Sequence, residues 1–260
     1  MNASRLAFYR GFSSPVASAG FALHQLLGRV GASEKVKAYV RRAVRGRFKA
    51  GDMQLEVRAG TWDAWGASPG HEPETHAFIG ERFRASSAIM IDVGAFCGAF
   101  SLRYQTRFKS IHLFEASETN FAALSRNILL NGSNVHGIHA AATDRAEPVR
   151  LFLNSGDTNS LIGTGRCEVV KGVRLDDYWG NIGRPAVALI KIDVEGAEAF
   201  VLRGASDLLR AGCVIIAEAN DTDHQHALEQ LMSDRGYEVT AKLDGRNLVF
   251  ETIKPVDAGA

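Results

Sequence analysis

Short hydrophobic runs from residue 89 onward alternate with segments in which apolar positions have helical spacing. The hydrophobic runs predict strands at 89–93, 110–114, 135–142, 187–192 and 214–217. The segments between them predict helices at about 98–107, 118–130, 196–209 and 224–235. Alternating strands and helices indicate a parallel sheet with helices on both faces. The carboxyl ends of its strands meet at one edge, where ligands bind.

Smaller elements are predicted on either side of this core. We expect a strand from Met53 to Val57 and a helix from His71 to Phe83. The chain closes with two alternating runs joined by Asp244-Gly245, a typical hairpin turn. A parallel sheet that ends in an antiparallel hairpin resembles the architecture of class I methyltransferases. The predicted fold is therefore α/β and Rossmann-like, with a mostly parallel seven-stranded sheet, a closing antiparallel hairpin and an N-terminal helical extension.

The N-terminal region differs from the rest of the chain in charge. Residues 1–50 contain ten Lys or Arg and one acid, whereas the remainder contains 20 bases and 28 acids. Residues 3–49 are predicted to be helical, most clearly from Glu34 to Phe48. We expect residues 1–50 to form a basic helical extension or cap, and residues 51–260 to form the class I methyltransferase domain. The basic helices either pack on the core, lie weakly on an anionic membrane, or cover an active-site mouth.

Several classes of protein are disfavoured by the composition. The three cysteines, Cys97, Cys167 and Cys213, form no C-x-x-C pair, so neither a disulfide framework nor a zinc site is indicated. No apolar run reaches the roughly eighteen residues of a membrane span. Residues 1–30 lack the continuous apolar stretch of a secretory signal, and we expect a cytoplasmic protein. Nucleic-acid binding is not expected, because no base-reading motif accompanies the basic segment.

The first core strand runs into an acid and a glycine turn. Asp92 is followed by Gly94 and Gly98, and glycines let the backbone turn sharply and approach a ligand closely. Asp92 would repel a pyrophosphate, but it could accept hydrogen bonds from an ammonium group and nearby waters. The dinucleotide fingerprint requires a third glycine, which is missing. An NAD-dependent enzyme is therefore disfavoured.

The next two strands end in residues suited to a nucleoside. Glu115 lies seventeen residues after Gly98 and could accept both ribose hydroxyls, or it could be a solvated acid at a strand end. Its neighbour Ala116 would lie at the same ligand. Small residues end the third strand, Ala142 among them, and would let an adenine ring lie flat against the backbone. Asp144 could face the adenine amino group or begin a turn.

Ionisable side chains are most concentrated in the segment 189–198, Leu-Ile-Lys-Ile-Asp-Val-Glu-Gly-Ala-Glu. It places three acids and a lysine where a strand ends and a helix begins. Together with Val201–Ala205 and Asp92–Ala95, this segment resembles the FkbM family of S-adenosylmethionine-dependent methyltransferases. The similarity covers roughly residues 72–252.

The resemblance implies methyl transfer from S-adenosylmethionine to an oxygen, a hydroxyl of a sugar, a polyketide or another secondary metabolite. It also implies that Glu115 holds the ribose. The residues implied to hold the methionine part are Asp92, Gly94, Ala95 and Gly98. Phe96 is expected at the cofactor too, although family members often have asparagine at this position. The partner is thus a small-molecule hydroxyl acceptor, and the oligomeric state is left open.

Methyl transfer requires alignment of the acceptor, exclusion of water and a base for the hydroxyl proton. The predicted catalytic residues are Asp193, Glu195 and His224, and Asp193 is also expected to contact the cofactor. Asp193 and Glu195 emerge at the ligand-binding edge, where mutual repulsion could raise the pKa of one carboxyl group. Lys191 shares a strand face with Asp193 and could moderate its charge. Glu195 could instead only stabilise the first turn of the following helix.

Three further possibilities remain open at this point. Asp193, Glu218 and Asn220 could hold Mg²⁺, although oxygen ligands alone are unspecific and we predict no metal site. The main alternative function is a noncatalytic binding protein with the cofactor fold, attached to a membrane by its basic N-terminal helices. The acceptor pocket is expected from residues 51–75 and 154–166, with the N-terminal helices as a further candidate, and Asn159–Leu161 would line it.

Overall fold

The computed structural model describes residues 3–153 and 159–253, with the side chains of residues 3–6 left out. The helices in these ranges are α1 Ala3–Arg10, α2 Pro15–Arg29, α3 Glu34–Arg41, α4 Asp63–Gly66, α5 Pro73–Arg82, α6 Glu118–Leu129, α7 Leu175–Asn181, α8 Glu198–Arg203, α9 Ser206–Arg210 and α10 Thr222–Ser233. The strands are β1 Gly46–Ala50, β2 Met53–Val57, β3 Ile89–Val93, β4 Ile111–Glu115, β5 Val135–His139, β6 Ala141–Ala142, β7 Val149–Phe152, β8 Cys167–Val170, β9 Gly172–Val173, β10 Val187–Ile192, β11 Val214–Glu218, β12 Tyr237–Leu243 and β13 Asn247–Thr252.

Seven of these strands form the central sheet, in the order β12-β13-β11-β10-β3-β4-β5. Neighbouring strands from β11 to β5 are parallel, whereas β13 runs antiparallel to both β11 and β12. The predicted fold class is therefore confirmed, including the closing hairpin. The predicted strands at 89–93 and 187–192 have the bounds expected from their hydrophobic runs.

Side chains of the central strands alternate between two apolar layers. Met90 and Leu189 join the cluster that includes the N-terminal helices and α6, whereas Ile91 and Ile190 join the cluster on α7 to α10. Successive residues of a strand point to opposite faces of a sheet, so a strand buried on both faces must be apolar throughout. The charged residues Asp92 and Lys191 are the exceptions in β3 and β10, and both lie near the carboxyl end of their strand.

The predicted helix over residues 3–49 is wrong at its end. Helix α3 ends at Arg41, and residues 46–50 form strand β1, which pairs antiparallel with β2. Gly46, the first residue of β1, has a φ of 103°, a value outside the helical range, and Phe48 is buried between the exposed residues Arg47 and Lys49. This alternation has the period of a strand. The β1–β2 hairpin crosses position 50, the predicted end of the extension.

Two other helix predictions also need correction. The segment 98–107 contains only a 3-10 turn, Leu102–Tyr104. Gly98 has a left-handed φ of 84°, which does not fit an α-helix, and the Ser101 hydroxyl donates a hydrogen bond to Asp92. The predicted helix at 196–209 is divided into α8 and α9 at Gly204. The hypothetical Cβ of Gly204 would lie 2.1 Å from the Thr143 carbonyl oxygen, so the helix approaches another segment closely there.

The strand predicted at 135–142 is also interrupted. Strand β5 ends at His139, and β6 leaves the central sheet to pair with β9. Among the described helices, none combines the length and apolar character needed to cross a membrane.

The closing hairpin is tied to helix α5. Asp244 and Gly245 have φ values of 52° and 73°, and the Arg246 N–H donates to the Leu243 carbonyl, as in the predicted hairpin turn. The Asp244 carboxylate accepts hydrogen bonds from the Thr75 N–H at 2.9 Å and the Thr75 hydroxyl at 2.7 Å. These bonds fix the turn beside the start of α5 and bring Arg246 to the carboxyl edge of the sheet.

Candidate functional site

A cavity of about 420 Å³ opens at the carboxyl ends of β3, β4, β10 and β11. Nine of the predicted site residues line it: Asp92, Gly94, Ala95, Phe96, Glu115, Ala116, Ala142, Asp193 and Glu195. Its size lies within the range of about 300–1,000 Å³ that is usual for small-molecule sites. The parallel topology thus brings together residues that are up to 103 positions apart in the chain.

Two predicted residues are not among those that line the cavity. Gly98 has a φ of 84°, and a Cβ there would lie 2.9 Å from side-chain carbons of Leu102 and Leu124, so this glycine serves close packing. His224 lies on α10, with its Nε2 atom 3.2 Å from Glu198 Oε2. Its hydrogen bond with Glu198 raises the pKa of His224. The structure does not bring His224 to the cavity.

Asp92 is a buried carboxyl group on the cavity wall. Its Oδ2 atom accepts a hydrogen bond of 2.6 Å from the Ser101 hydroxyl. Burial raises the pKa of Asp92 to about 6, although the Ser101 bond and the charge of Lys191 act in the opposite direction. A carboxyl group held in this way is ready to ionise when a cation or hydrogen-bond donor enters.

Gly94 makes the turn after β3 possible. Its φ is 86°, and the N–H groups of Gly94 and Ala95 both donate to the Phe114 carbonyl, at 3.0 and 2.9 Å. A Cβ on Gly94 would lie 1.8 Å from the Asp193 carbonyl oxygen. The loops after β3 and β10 therefore touch through backbone atoms, and only glycine permits this approach.

Glu115 fixes the same turn from the neighbouring strand. Its two carboxylate oxygens accept hydrogen bonds of 2.8 Å from the N–H groups of Phe96 and Ser117. Burial raises the pKa of Glu115 to about 7, even though these backbone bonds favour the charged form. Phe96 has a φ of 54°, an unfavourable value for a bulky residue, and the Glu115 bond helps to hold it there. The carboxylate keeps further lone pairs for a ligand.

A set of charged side chains, here called the buried charge cluster, lies at the ends of β10 and β11. Its members are Glu72, Lys191, Asp193, Glu218 and Arg246. Lys191 Nζ lies 3.3 Å from Asp193 Oδ2, and Arg246 contacts Glu218 at 2.6 Å and Glu72 at 3.2 Å. Glu72, Lys191 and Glu218 are almost fully buried, while Asp193 keeps 29% of its side chain exposed.

The two acids Asp193 and Glu218 of the buried charge cluster have pKa values shifted in opposite directions. Burial acts to raise the pKa of Asp193, but the Lys191 ammonium and a hydrogen bond with Glu218 hold it well below its usual range. Burial and the neighbouring Asp193 raise the pKa of Glu218 to about 9. Asp193 is therefore the ionised member and Glu218 the protonated one at neutral pH. Burial acts to lower the pKa of Lys191, but the surrounding acids, Asp193 first, raise it above its usual range.

These contacts do not fit the Mg²⁺ site considered from the sequence. Asp193 and Glu218 share a hydrogen bond and are already paired with Lys191 and Arg246. Asn220, the third candidate ligand, does not line the cavity. Within residues 3–153 and 159–253, no three His, Cys, Asp or Glu side chains meet as a metal-holding group.

Glu195 lies at the cavity in a strained backbone conformation. Its φ is 55°, and the Ser160 hydroxyl donates a hydrogen bond of 2.8 Å to its carbonyl oxygen. Burial and the nearby charge of Asp193 raise the pKa of Glu195. Such strain costs of order 1–3 kcal/mol and concentrates at functional sites. Asn159, Ser160 and Leu161, which were predicted at the acceptor pocket, line this cavity, whereas residues 154–158 lie outside the described residues.

An aromatic wall lines another part of the cavity. We give this name to three aromatic residues of the lining, Trp62, Trp65 and Phe100, and His71 lines the cavity as well. Burial lowers the pKa of His71, and its Nδ1 atom is buried without a hydrogen-bond partner in the described structure. The predicted acceptor segment 51–75 thus contributes Trp62, Trp65, Gly66, His71 and Glu72 to the cavity.

The charge of the cavity favours a cationic ligand. Six carboxyl groups line it, from Glu72, Asp92, Glu115, Asp193, Glu195 and Glu218. With Glu218 protonated, the other five can ionise against the two permanent cations Lys191 and Arg246. A sulfonium or ammonium group would gain from this excess of acids. Small residues at the ends of β5 and β6, Ala140, Ala141 and Ala142, leave space for a flat ring beside the backbone.

This chain is similar to several known proteins. The family model described as the methyltransferase FkbM domain matches residues 92–239. The 31-O-demethyl-FK506 methyltransferase FkbM of Streptomyces tacrolimicus is 28% identical over 197 residues, which cover 60% of this chain and 75% of that protein. Methyltransferase sdnD of Sordaria araneosa is 24% identical over 198 residues, with the same two shares. Among solved structures, methyltransferase FkbM of Methylobacillus flagellatus is 16% identical with a TM-score of 0.47, covering 95% of this chain and 58% of that one.

Proposed function

The chain belongs to the methyltransferase FkbM domain family, and from this premise we propose that it transfers the methyl group of S-adenosylmethionine to a hydroxyl oxygen of a small molecule. The name of one relative, 31-O-demethyl-FK506 methyltransferase, supports an oxygen acceptor. A sugar, a polyketide or another secondary metabolite would supply such a hydroxyl. We propose a cytoplasmic enzyme.

One observation carries the cofactor assignment: Asp92 and Glu115 are buried carboxyl groups at the ends of adjacent strands, on either side of the Gly94 turn. Asp92 would accept hydrogen bonds from the ammonium group of the methionine part, and Glu115 from the ribose hydroxyls. Ala142 would lie beside the adenine. When bound, S-adenosylmethionine supplies an electrophilic methyl group next to these residues.

Glu195 is the proposed general base for the acceptor hydroxyl. Asp193 is a weaker base because Lys191 holds its pKa low, and His224 contacts Glu198 outside the cavity lining. The raised pKa of Glu195 makes it more basic than an ordinary glutamate. Asp193 would instead remain ionised and provide negative charge near the sulfonium.

The cofactor assignment predicts a pH dependence of binding. Asp92 and Glu115 hold protons up to pH values of about 6 and 7 in the ligand-free protein, whereas the ligand requires the ionised forms. We therefore expect the affinity for S-adenosylmethionine to rise between pH 5.5 and pH 8, with net release of protons on binding. Isothermal titration in two buffers of different ionisation enthalpy measures both quantities.

Asp92→Asn keeps the shape of the side chain and removes its charge. We expect binding at pH 8 to weaken by at least about tenfold, the effect of losing a charged hydrogen bond. Asp176→Asn is the matched control, since Asp176 is a buried aspartate that accepts the N–H groups of Asp207 and Leu208 outside the cavity. The assignment is wrong if neither S-adenosylmethionine nor S-adenosylhomocysteine binds, or if Asp92→Asn binds as tightly as the native protein.

Catalysis is tested separately from binding. Tritiated methyl groups of S-adenosylmethionine are followed into a panel of sugar and polyketide alcohols, and Glu195→Gln is compared with the native enzyme on the best acceptor. We expect kcat to fall about 100-fold with cofactor affinity nearly unchanged, because a positioned base contributes roughly that much or more. If kcat fell by this amount in His71→Asn and did not fall in Glu195→Gln, His71 and not Glu195 would be the general base. Cofactor binding with no methyl transfer to any alcohol would favour the noncatalytic alternative.

A further inference from the structure

The outer faces of α2 and α3 expose an unusual number of large hydrophobic side chains. Of eleven such side chains exposed in the described part of the chain, six lie within residues 16–39: Val16, Leu23, Leu26, Val30, Val36 and Tyr39. Val30 is 69% exposed and Tyr39 is 75% exposed. We call these six residues and the basic residues between and after them the α2–α3 outer surface.

The fold keeps these side chains outside. The opposite face of α2 packs against the rest of the protein, where Ala17, Phe21 and His24 are buried. Val16, Leu23 and Val30 are spaced by seven residues and therefore share one solvent-facing stripe. Val36 and Tyr39 share a face of α3 in the same way. Neither stripe can turn inward without unpacking the helices.

Basic side chains accompany the exposed apolar ones. Arg29, Lys35, Arg42 and Arg45 are all exposed within or directly after these two helices. The single acid of residues 1–50, Glu34, is paired with Lys37. The α2–α3 outer surface is thus both apolar and strongly positive.

We propose that the α2–α3 outer surface docks on an anionic lipid bilayer. Apolar side chains of a surface helix enter the boundary between headgroups and acyl chains, while Lys and Arg contact the anionic headgroups. A second copy of the chain would bring one strongly basic surface against another. A nucleic acid would match the charge but leave the apolar side chains uncovered. A bilayer satisfies both properties of the surface.

The inner faces of the same helices contact the aromatic wall of the cavity. The rings of Phe21 and Trp65 have their centroids 4.7 Å apart, and those of His24 and Trp65 4.4 Å apart. The guanidinium carbon of Arg41 lies 4.0 Å from the ring centroid of Trp62. Docking by the outer face would therefore hold the cavity close to the bilayer.

Vesicle flotation of the full chain tests the proposal. Vesicles of pure phosphatidylcholine are compared with vesicles that contain about 30% phosphatidylserine, each at low and at high salt. We expect binding only to the anionic vesicles, and we expect high salt to weaken it by screening. Leu26→Ser/Val30→Ser and Lys35→Glu/Arg42→Glu should each weaken binding at least tenfold.

Leu129→Ser and Lys109→Glu are the matched controls, because both residues are exposed but lie outside this surface, and these variants should bind as the native chain does. Circular dichroism checks that every variant is folded. Equal binding to both kinds of vesicle, or retention of full binding in Lys35→Glu/Arg42→Glu, would overturn the proposal. So would the absence of binding to the anionic vesicles. If a concentration-dependent dimer that Leu26→Ser/Val30→Ser abolishes then appeared in sedimentation, a second copy would be the occupant. None of these outcomes depends on methyl transfer.

Discussion

Gly94→Ala should lower the free energy of unfolding by about 4 kcal/mol, which combines left-handed strain of about 1–2 kcal/mol with forced displacement of packed atoms. The new Cβ would lie 1.8 Å from the Asp193 carbonyl oxygen, which is backbone and cannot rotate away. The loops after β3 and β10 would have to separate. Because both loops line the cavity, cofactor binding should be lost together with stability.

Gly183→Ala is the control for backbone strain. Gly183 has a φ of 85°, against 86° for Gly94, and its hypothetical Cβ has nothing within 4 Å. We expect this variant to lose only about 1–2 kcal/mol, the cost of the left-handed conformation. Urea unfolding followed by circular dichroism measures both variants. Equal losses in the two would show that the contact between the loops does not limit the residue at position 94.

Lys191→Met should cost about 3–5 kcal/mol, the usual result of removing one partner from a buried ion pair. Met fills a similar volume, so the loss arises from charge. Asp193 would keep its charge without the ammonium 3.3 Å away, and Glu218 would already be protonated. We also expect the pKa of Asp193 to rise, because Lys191 is the main group that lowers it.

A double-mutant cycle separates this charge effect from packing. Lys191→Met, Asp193→Asn and the double variant are compared by urea unfolding at pH 7. The double variant should be more stable than the sum of the single losses predicts, by about 1–3 kcal/mol, because neither partner is left unpaired. Lys109→Met, at an exposed position, should change stability by less than about 0.5 kcal/mol. Strict additivity of the two single losses would contradict the pairing.

Much of the fold could be predicted because its core strands are local signals. The run Ile89–Val93 is apolar apart from Asp92. It is too short for a typical helix, so it indicates a buried strand. Strand β1 could not be recognised in the same way. Val44 and Phe48 are four residues apart, which suits a helix, while Phe48 between Arg47 and Lys49 suits a strand. The choice is made by pairing with β2, a contact that no local pattern contains.

The residues of the candidate site also fall into those that could be predicted from the sequence and those that could not. Asp92, Glu115 and Asp193 could be predicted to meet because parallel topology brings strand ends to one edge. Glu72 and Arg246 could not, since they are 174 residues apart and come from a loop and a hairpin turn. Their meeting depends on the bonds between Asp244 and Thr75. His71 was missed for a related reason, because a single loop histidine has no spacing that distinguishes it.

The positions of the three tryptophans make the protein a natural fluorescence sensor. Trp62 and Trp65 touch the cavity on one side and the N-terminal helices on the other. Trp179 is buried in the opposite layer, where its indole N–H donates to the Pro185 carbonyl at 2.8 Å. The fluorescence of Trp62 and Trp65 should therefore change when a ligand enters the cavity or when α2 moves. The fluorescence of Trp179 should stay constant and serve as an internal reference. Occupancy can be followed by intrinsic emission without an added dye.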